Sequence, residues 1–202
     1  MIGDKYKLVL ASSSERRLVL LKRIGYVPDI IDAPDIKEDI RKNETPDAYV
    51  KRIAKEKAES VYQRHKNSYI IAADTVIFSG SKIYGKVAYK DDAFKVLNKL
   101  SGKKHRVYGG ICVISPNKNI SIKRIVTQVS FRKINSKEIQ DYINTKEWVG
   151  KAGCYAIQGI ASKFVKRING NYDNVVGLSV IDADKMLKGI KAWNKMFNYY
   201  KN

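Results

Sequence analysis

Ser12 and Ser14 stand between the apolar run Leu8 to Ala11 and a helix-forming stretch whose first turn carries Arg16 and Arg17. A helix N-terminus exposes free backbone N–H groups and a partial positive charge, so it suits an anion such as phosphate. A cation there is disfavoured by about 0.3–1 kcal/mol at an exposed site, and a bound anion reverses the sign of that cost. The competing reading is two solvated arginines reaching away from the helix end. Asp74 interrupts YIIAADTVIF, the apolar run from Tyr69 to Phe78. A carboxylate inside such a run costs several kcal/mol unless it is paired, hydrogen-bonded or metal-bound. Functional need is the simplest reason to keep it, with a structural ion pair or a strand end that reaches solvent as alternatives. Lys57 occupies position i+7 of the helical stripe Val50, Ile53, Ala54, Ala58 and Val61. Such a lysine either snorkels to the edge of the apolar face or points into a cleft that holds an anion.

The segment GSKIYGKV, Gly80 to Val87, nearly spells the phosphate loop G-x-x-x-x-G-K-[ST]. Val87 stands where a hydroxyl must hold Mg²⁺, and Ile83 and Tyr84 are bulky for a loop that wraps phosphates. The spacing therefore predicts a hairpin turn that delivers Lys86 to a site, not a phosphate loop. The acids between Asp35 and Asp39 together with Asp74 have the chemistry to share a divalent cation, which takes one or two carboxylates and completes its shell with substrate phosphates. The plainer reading of that stretch is a solvated acidic segment. His65 and His105 lie among polar neighbours with no nucleophile elbow nearby and read as surface histidines. Cys112 and Cys154 are far apart, without a CxxC or Cys/His cluster, and read as two small buried hydrophobes. The residues together describe a site for a polyphosphate and leave the reaction open.

The elements that must position these groups follow from periodicity and punctuation. A short buried strand over Leu8 to Ala11 leads through the serines to a helix from about Glu15 to Ile24, with Ser14 as cap and Gly25 as stop. Tyr26 to Ile31 reads as a second strand. Thr45-Pro46-Asp47 starts the helix that carries Lys57. Tyr69 to Phe78 is the clearest buried strand. A helix starts at Lys90-Asp91-Asp92 and ends at Ser101-Gly102. Arg106 to Ile114 and Ile120 to Phe131 form a hairpin across SPNKN. Ser136 caps a short helix to about Asn144. Phe164 to Ile168 and Asn171 to Val176 flank Asn169-Gly170, a two-residue hairpin signal. A last helix from Asp182 carries Ala183, Met186, Leu187, Ile190 and Phe197 on one side. Helices and strands mix without strict alternation, so the class is α/β or α+β with a mixed sheet.

The 202 residues, 44% hydrophobic, suffice for one ordinary domain or two small lobes with a core of their own. No repeat or low-complexity stretch points to a solenoid or to disorder. The apolar run at Leu8 to Ala11 is too short for a signal peptide or membrane span, which makes the cytoplasm the expected compartment and excludes a membrane partner. A net charge of +19, from 39 Lys+Arg against 20 Asp+Glu, is spread along the chain. Such a field attracts nucleotides and phosphates, and nucleic acid at most nonspecifically.

Several collinear motifs are similar to those of the Maf family of nucleoside triphosphate pyrophosphatases, also described as septum-formation proteins. LASSSERR resembles the family's LASxSPRR, YVKRIAKEKA its second helix, AADTVI its ADTVV strand, and IYGKV its LGKP. LNKLSGKKHRVYGG and GKAGCYAIQGIASKFVKRINGNYDNVVGLSV resemble the segments that follow, so the likeness covers most of the chain, taken as a single Maf-like domain over 1–202. It implies hydrolysis of the α-β phosphoanhydride of a nucleoside triphosphate to the monophosphate and pyrophosphate, with Mg²⁺ or Mn²⁺. Asp74 matches the catalytic aspartate that activates water or helps hold the metal, and Glu38 the acidic metal-side residue. Ser12, Ser14, Arg17, Lys57 and Lys86 match substrate-binding positions. Arg16, Thr75 and Gln158 match the positions that distinguish the dTTP/UTP subgroup from the 7-methyl-GTP subgroup.

The implied fold is α/β, a mixed elongated sheet with flanking helices in two lobes around a nucleotide cleft, commonly as a homodimer. Four positions depart from the family pattern. Val87 and Ser179 replace prolines, Glu15 replaces the proline before the arginines, and Lys37 replaces the Asp that commonly precedes Glu38. The first three affect backbone stiffness; Lys37 bears on how a metal is held. The rival from another class is a nucleotide- or nucleic-acid-binding module that keeps the cradle and lacks catalysis.

Overall fold

Leu8–Ala11 is apolar and completely buried, as a strand covered on both faces must be, and forms β1 of a computed structural model that describes residues 6–190. It pairs in parallel with β2 (Ile30–Ile31) and with β3 (Tyr69–Ser79). The remaining strands are β4 (Lys82–Tyr84), β5 (Lys104–Ile114), β6 (Ile120–Phe131) and β7 (Val165–Asn169). Their order is β2-β1-β3-β5-β6-β7, with β4 beside β3. Because β3–β4 and β6–β7 are antiparallel, the sheet is mixed, and with its flanking helices the chain is of the expected α/β class. The helices are α1 (Glu15–Arg23), α2 (Pro46–Arg64), α3 (Lys90–Leu100), α4 (Ser136–Asn144), α5 (Tyr172–Val176) and α6 (Val180–Gly189).

The residues fall into two compact units. One is built from the chain up to Asp74, from Gly109–Ile125 and from Gly177 onward; the other from Thr75–Tyr108 and Val126–Val176. In the first, Val9, Ala11, Ala54, Ala58, Val61, Ile70, Ala72, Cys112 and Ile114 make a core between α2 and the strands. Gly110 lets α2 come close, since a Cβ there would lie 2.1 Å from the carbonyl oxygen of Val50. Thr45 caps α2 by accepting the Ala48 N–H at 3.2 Å, and Pro46 fills the first helical position, as the sequence predicts. In the second unit, Val107, Val129, Phe131, Tyr142, Trp148, Cys154 and Phe164 pack with the inner face of α3. Both cysteines are buried and free.

Six expectations change. The strand from Tyr26 contracts to Ile30–Ile31, because α1 ends in a tight turn at Gly25 (φ 84°) and Tyr26 is buried instead, its hydroxyl donating to Asp184 Oδ1 at 3.1 Å. Ser14 holds the cap position of α1, but its side chain makes no capping hydrogen bond. The cap of α4 is Asn135, not Ser136; its side chain accepts the Glu138 N–H, and Glu138 accepts the Asn135 N–H in return. Asn169-Gly170 does not close a hairpin, since only Gly170 has positive φ where the tightest turn needs two such residues. The chain enters α5 there, with Asn171 Oδ1 accepting the Asn174 N–H at 2.8 Å. The final helix starts at Val180, and Phe197 lies outside the described residues.

His105 is the sixth. It is 2% exposed, its Nε2 lies 2.8 Å from the Tyr155 hydroxyl, and its ring stands edge-on to Phe131. Burial lowers its pKa to about 4. The folded state therefore holds the neutral ring while the unfolded chain protonates near 6.5, so stability present above pH 6.5 is lost as pH falls toward 4. At 1.36 kcal/mol per unit this loss amounts to about 3 kcal/mol. Urea denaturation of the protein and its His105→Gln variant between pH 7 and 4 checks it: the variant should lose less stability across that window, and parallel curves would contradict the assignment.

Candidate active site

Apolar packing fixes β3 and α2 and brings their two anomalous residues together. Asp74 and Lys57 are each 4% exposed, and Lys57 Nζ donates to Asp74 Oδ1 at 2.6 Å. The same ammonium lies 2.8 Å from Glu38 Oε1, a more open carboxylate. Among the described residues two of the three lysine donors are thus engaged, and the third has no acceptor there. A buried pair of this kind gains little net stability against hydrophobic replacements, because desolvation offsets the Coulomb attraction. Its chemistry is the better reason for its presence.

Glu38 lies in a segment without regular structure, held from α2. The Tyr49 hydroxyl donates to the Glu38 carbonyl at 2.9 Å, and Arg52 Nη2 donates to the Asp39 carbonyl at 2.9 Å. Arg52 is itself braced by Glu44 at 2.6 Å and Glu56 at 3.1 Å. Burial raises the Tyr49 pKa most, and the charges of Asp74 and Glu38 raise it further. Tyr49 and Arg52 are site residues that sequence reasoning missed. Within the acidic stretch, Glu38 is the side chain that meets Lys57, whereas Asp32 is taken up by Arg64 and His65, each at 2.8 Å. The replacement of Asp by Lys37 therefore leaves Glu38 in position.

At the start of α1, Arg17 Nη1 donates to Ser12 Oγ at 3.1 Å, and the Ser14 N–H donates to the same oxygen at 3.1 Å. Arg17 Nε donates to the Gly177 carbonyl at 3.0 Å. Burial pulls the Arg17 pKa down, and the negative charges of Asp74 and Glu38 act against that pull. The Arg16 pKa is lowered by burial first and then by the charge of Arg17. The protein's own carboxylates thus offset part of what burial at the helix end costs Arg17. Ser12, Arg17, Glu38, Lys57 and Asp74 are linked by these hydrogen bonds, ion pairs and charges, and Ser14 joins them through its backbone N–H.

Lys86, Thr75 and Gln158 belong to the other unit. Gly80 and Ser81 both have positive φ, 54° and 67°, and turn β3 into β4 as a two-residue hairpin, so the near match to a phosphate loop forms no such loop. Lys86 is exposed just beyond β4, and the carbonyl of its neighbour Gly85 accepts the Gly153 N–H at 3.1 Å. Thr75 follows Asp74 on β3 and is half-buried; Gln158 is exposed on the turn 157–159. Ser179, in place of a proline, keeps φ at −67° and donates to Asp182 Oδ2 at 2.5 Å, so the substitution retains a fixed backbone. Among the described residues, no three His, Cys, Asp or Glu side chains gather as a metal cage.

The sequence profile described as Maf-like protein matches residues 7–190. A dTTP/UTP pyrophosphatase of Acinetobacter baylyi is 45% identical over 185 residues, covering 92% of this chain and 100% of that protein. A dTTP/UTP pyrophosphatase of Paramagnetospirillum magneticum is 42% identical over 182 residues, 90% of this chain and 96% of that protein. A nucleoside triphosphate pyrophosphatase of Ehrlichia canis is 41% identical over 180 residues, 89% of this chain and 94% of that protein. A solved nucleoside-triphosphatase / dITP/XTP pyrophosphatase from Mycobacterium abscessus aligns with a TM-score of 0.42 and 11% identity over 95% of this chain and 99% of that chain.

Removing the central ammonium leaves two carboxylates facing each other, one of them buried. Lys57→Met should lower stability by about 3 kcal/mol at pH 7, measured by urea denaturation. A loss below about 1 kcal/mol would show that Lys57 does not hold the pair.

Proposed function

This chain belongs to the Maf-like protein family, and on that premise we propose that it is a nucleoside triphosphate pyrophosphatase that cleaves the α-β phosphoanhydride of dTTP and UTP. The observation that carries the reading is the buried Lys57 ammonium, which joins Asp74 and Glu38 beside the Arg17 and Ser12 hydrogen bonds. Asp74 accepts the proton of the attacking water, and the water oxygen replaces the bridging oxygen, which leaves with pyrophosphate. The third Lys57 donor, Arg17 and Lys86 meet the phosphate oxygens and stabilise the charge that develops on the leaving group. Ser12 and Ser14 supply hydroxyls at the same end of α1.

Glu38 and Asp74 suit a hard divalent cation such as Mg²⁺ or Mn²⁺, which needs one or two carboxylates and takes its other ligands from water and substrate. When bound, such an ion neutralises phosphate charge and makes its water more acidic. Both carboxylates pair with one ammonium, and among the described residues no group of three or more His, Cys, Asp or Glu side chains is gathered to hold an ion without the substrate's help.

Arg16, Thr75 and Gln158 are assigned to the base, which separates their work from that of Arg17. The reading treats 1–202 as one catalytic domain, since each unit is assembled from separate stretches of chain and neither can be excised as one segment. It also includes a homodimer, which rests on the family resemblance, and a cytoplasmic location, the compartment expected from the sequence. Among the described residues, no helix is long and apolar enough to cross a membrane.

Asp74→Asn should reduce pyrophosphate release from dTTP by about 10²–10⁴-fold while circular dichroism stays unchanged; retained turnover would remove Asp74 from its role. Arg17→Ala should raise KM for every triphosphate. Arg16→Ala should chiefly narrow the difference among them, read as kcat/KM over a panel that includes 7-methyl-GTP. A preference of the unaltered enzyme for 7-methyl-GTP over dTTP would overturn the pyrimidine assignment.

A further inference from the structure

The turn that presents Gln158 is fixed at both of its ends. Tyr142, on α4 and 1% exposed, accepts the Ala156 N–H on its hydroxyl at 3.1 Å. Glu147, in the turns that follow α4, accepts the Ile160 N–H on Oε1 at 3.1 Å. Between these two bonds, Ile157 is 3% exposed and Gln158 is exposed, so the turn cannot roll without bringing Ile157 into water. A Cβ on Gly159 would lie 1.8 Å from Glu147 Oε1, so a side chain there would push the carboxylate aside.

The clamp is itself held. The Glu147 N–H donates to Thr145 Oγ1 at 3.2 Å, and that hydroxyl donates to the Tyr142 carbonyl at 2.6 Å. The Trp148 indole donates to the Ile143 carbonyl at 3.1 Å. The acceptors at the two ends of the turn therefore come from one short, cross-bonded stretch, residues 142–148.

We propose that Glu147, together with Tyr142, is a positioning residue for substrate choice: it holds the 157–159 turn so that the Gln158 amide meets the nucleobase in one orientation. A side-chain amide can discriminate bases only if its donor and acceptor ends are fixed in space, because an amide free to rotate pairs with either pattern. This inference rests on the reading of Gln158 as a base-recognising residue given above.

The test measures kcat and KM for dTTP, UTP, CTP and GTP in the full chain and in Gln158→Ala, Glu147→Ala, Glu147→Gln, and the double variant Glu147→Ala/Gln158→Ala, with thermal denaturation of each. Loss of one fixed hydrogen bond to the base should cut the preference for dTTP over GTP by about tenfold in Gln158→Ala. Glu147→Ala should give a similar loss, carried by KM for the pyrimidine nucleotides, and the double variant should lose no more than either single one. Glu147→Gln keeps an acceptor oxygen and should restore the preference. A merely structural Glu147 would lower the melting temperature and kcat for all substrates alike while leaving the preference intact. That result, or additive losses in the double variant, overturns the proposal. If Gln158→Ala itself leaves the preference unchanged, the reading of Gln158 fails, and the proposal fails with it.

Discussion

An ammonium removed from water at Lys57 is tolerable only because Asp74 and Glu38 reach it, and much of the first unit is arranged to make that meeting possible. The stripe Val50, Ile53, Ala54, Ala58 and Val61 commits α2 to the sheet and takes Lys57 down with it. Gly110 removes the side chain that would keep the helix off β5. β3 supplies Asp74 from the middle of a strand whose neighbours are buried, and Tyr49 and Arg52 draw the Glu38 segment onto the same helix. If α2 loses its seat on the sheet, Lys57 and Asp74 part and a buried charge is left without its partner.

Within the group, two cations, Lys57 and Arg17, stand against two carboxylates. A triphosphate adds several negative charges to this balance. The added charge has to be met by further cations, a task that the proposed function assigns to Lys86 and a divalent ion, and the +19 net charge of the chain attracts anions from solution. Arg16 and Arg17, an oddity as a pair, separate on inspection. Arg17 is bonded to Ser12 and Gly177 and is influenced by both carboxylates, whereas Arg16 is influenced chiefly by burial and by Arg17.

Residues governed by periodicity were legible from the sequence. Lys57 and Asp74 each break an apolar pattern, so their place in the fold and their need for a partner could both be read. Glu38 could be singled out among the acids from Asp35 to Asp39 only through resemblance, because its segment has no period and is placed by bonds from Tyr49 and Arg52 to its backbone carbonyls. His105 was misread because Lys104 and Arg106 flank it; in β5 alternate residues face opposite sides, so charged neighbours are what a buried strand residue should have. Asn171 to Val176 looked like a strand by composition, yet the Asn171 cap and the buried Asn174 side chain, which donates to the Val107 carbonyl at 3.1 Å, favour the short helix. Long-range hydrogen bonds of that kind leave no local trace in a sequence.

Cleavage between the α and β phosphates is the central claim, and the products of a single reaction test it most directly. Phosphorus NMR of dTTP incubated with the protein and Mg²⁺ or Mn²⁺ should show dTMP and pyrophosphate appearing in equal amounts. The appearance of dTDP with inorganic phosphate, or no turnover with either metal, would contradict it.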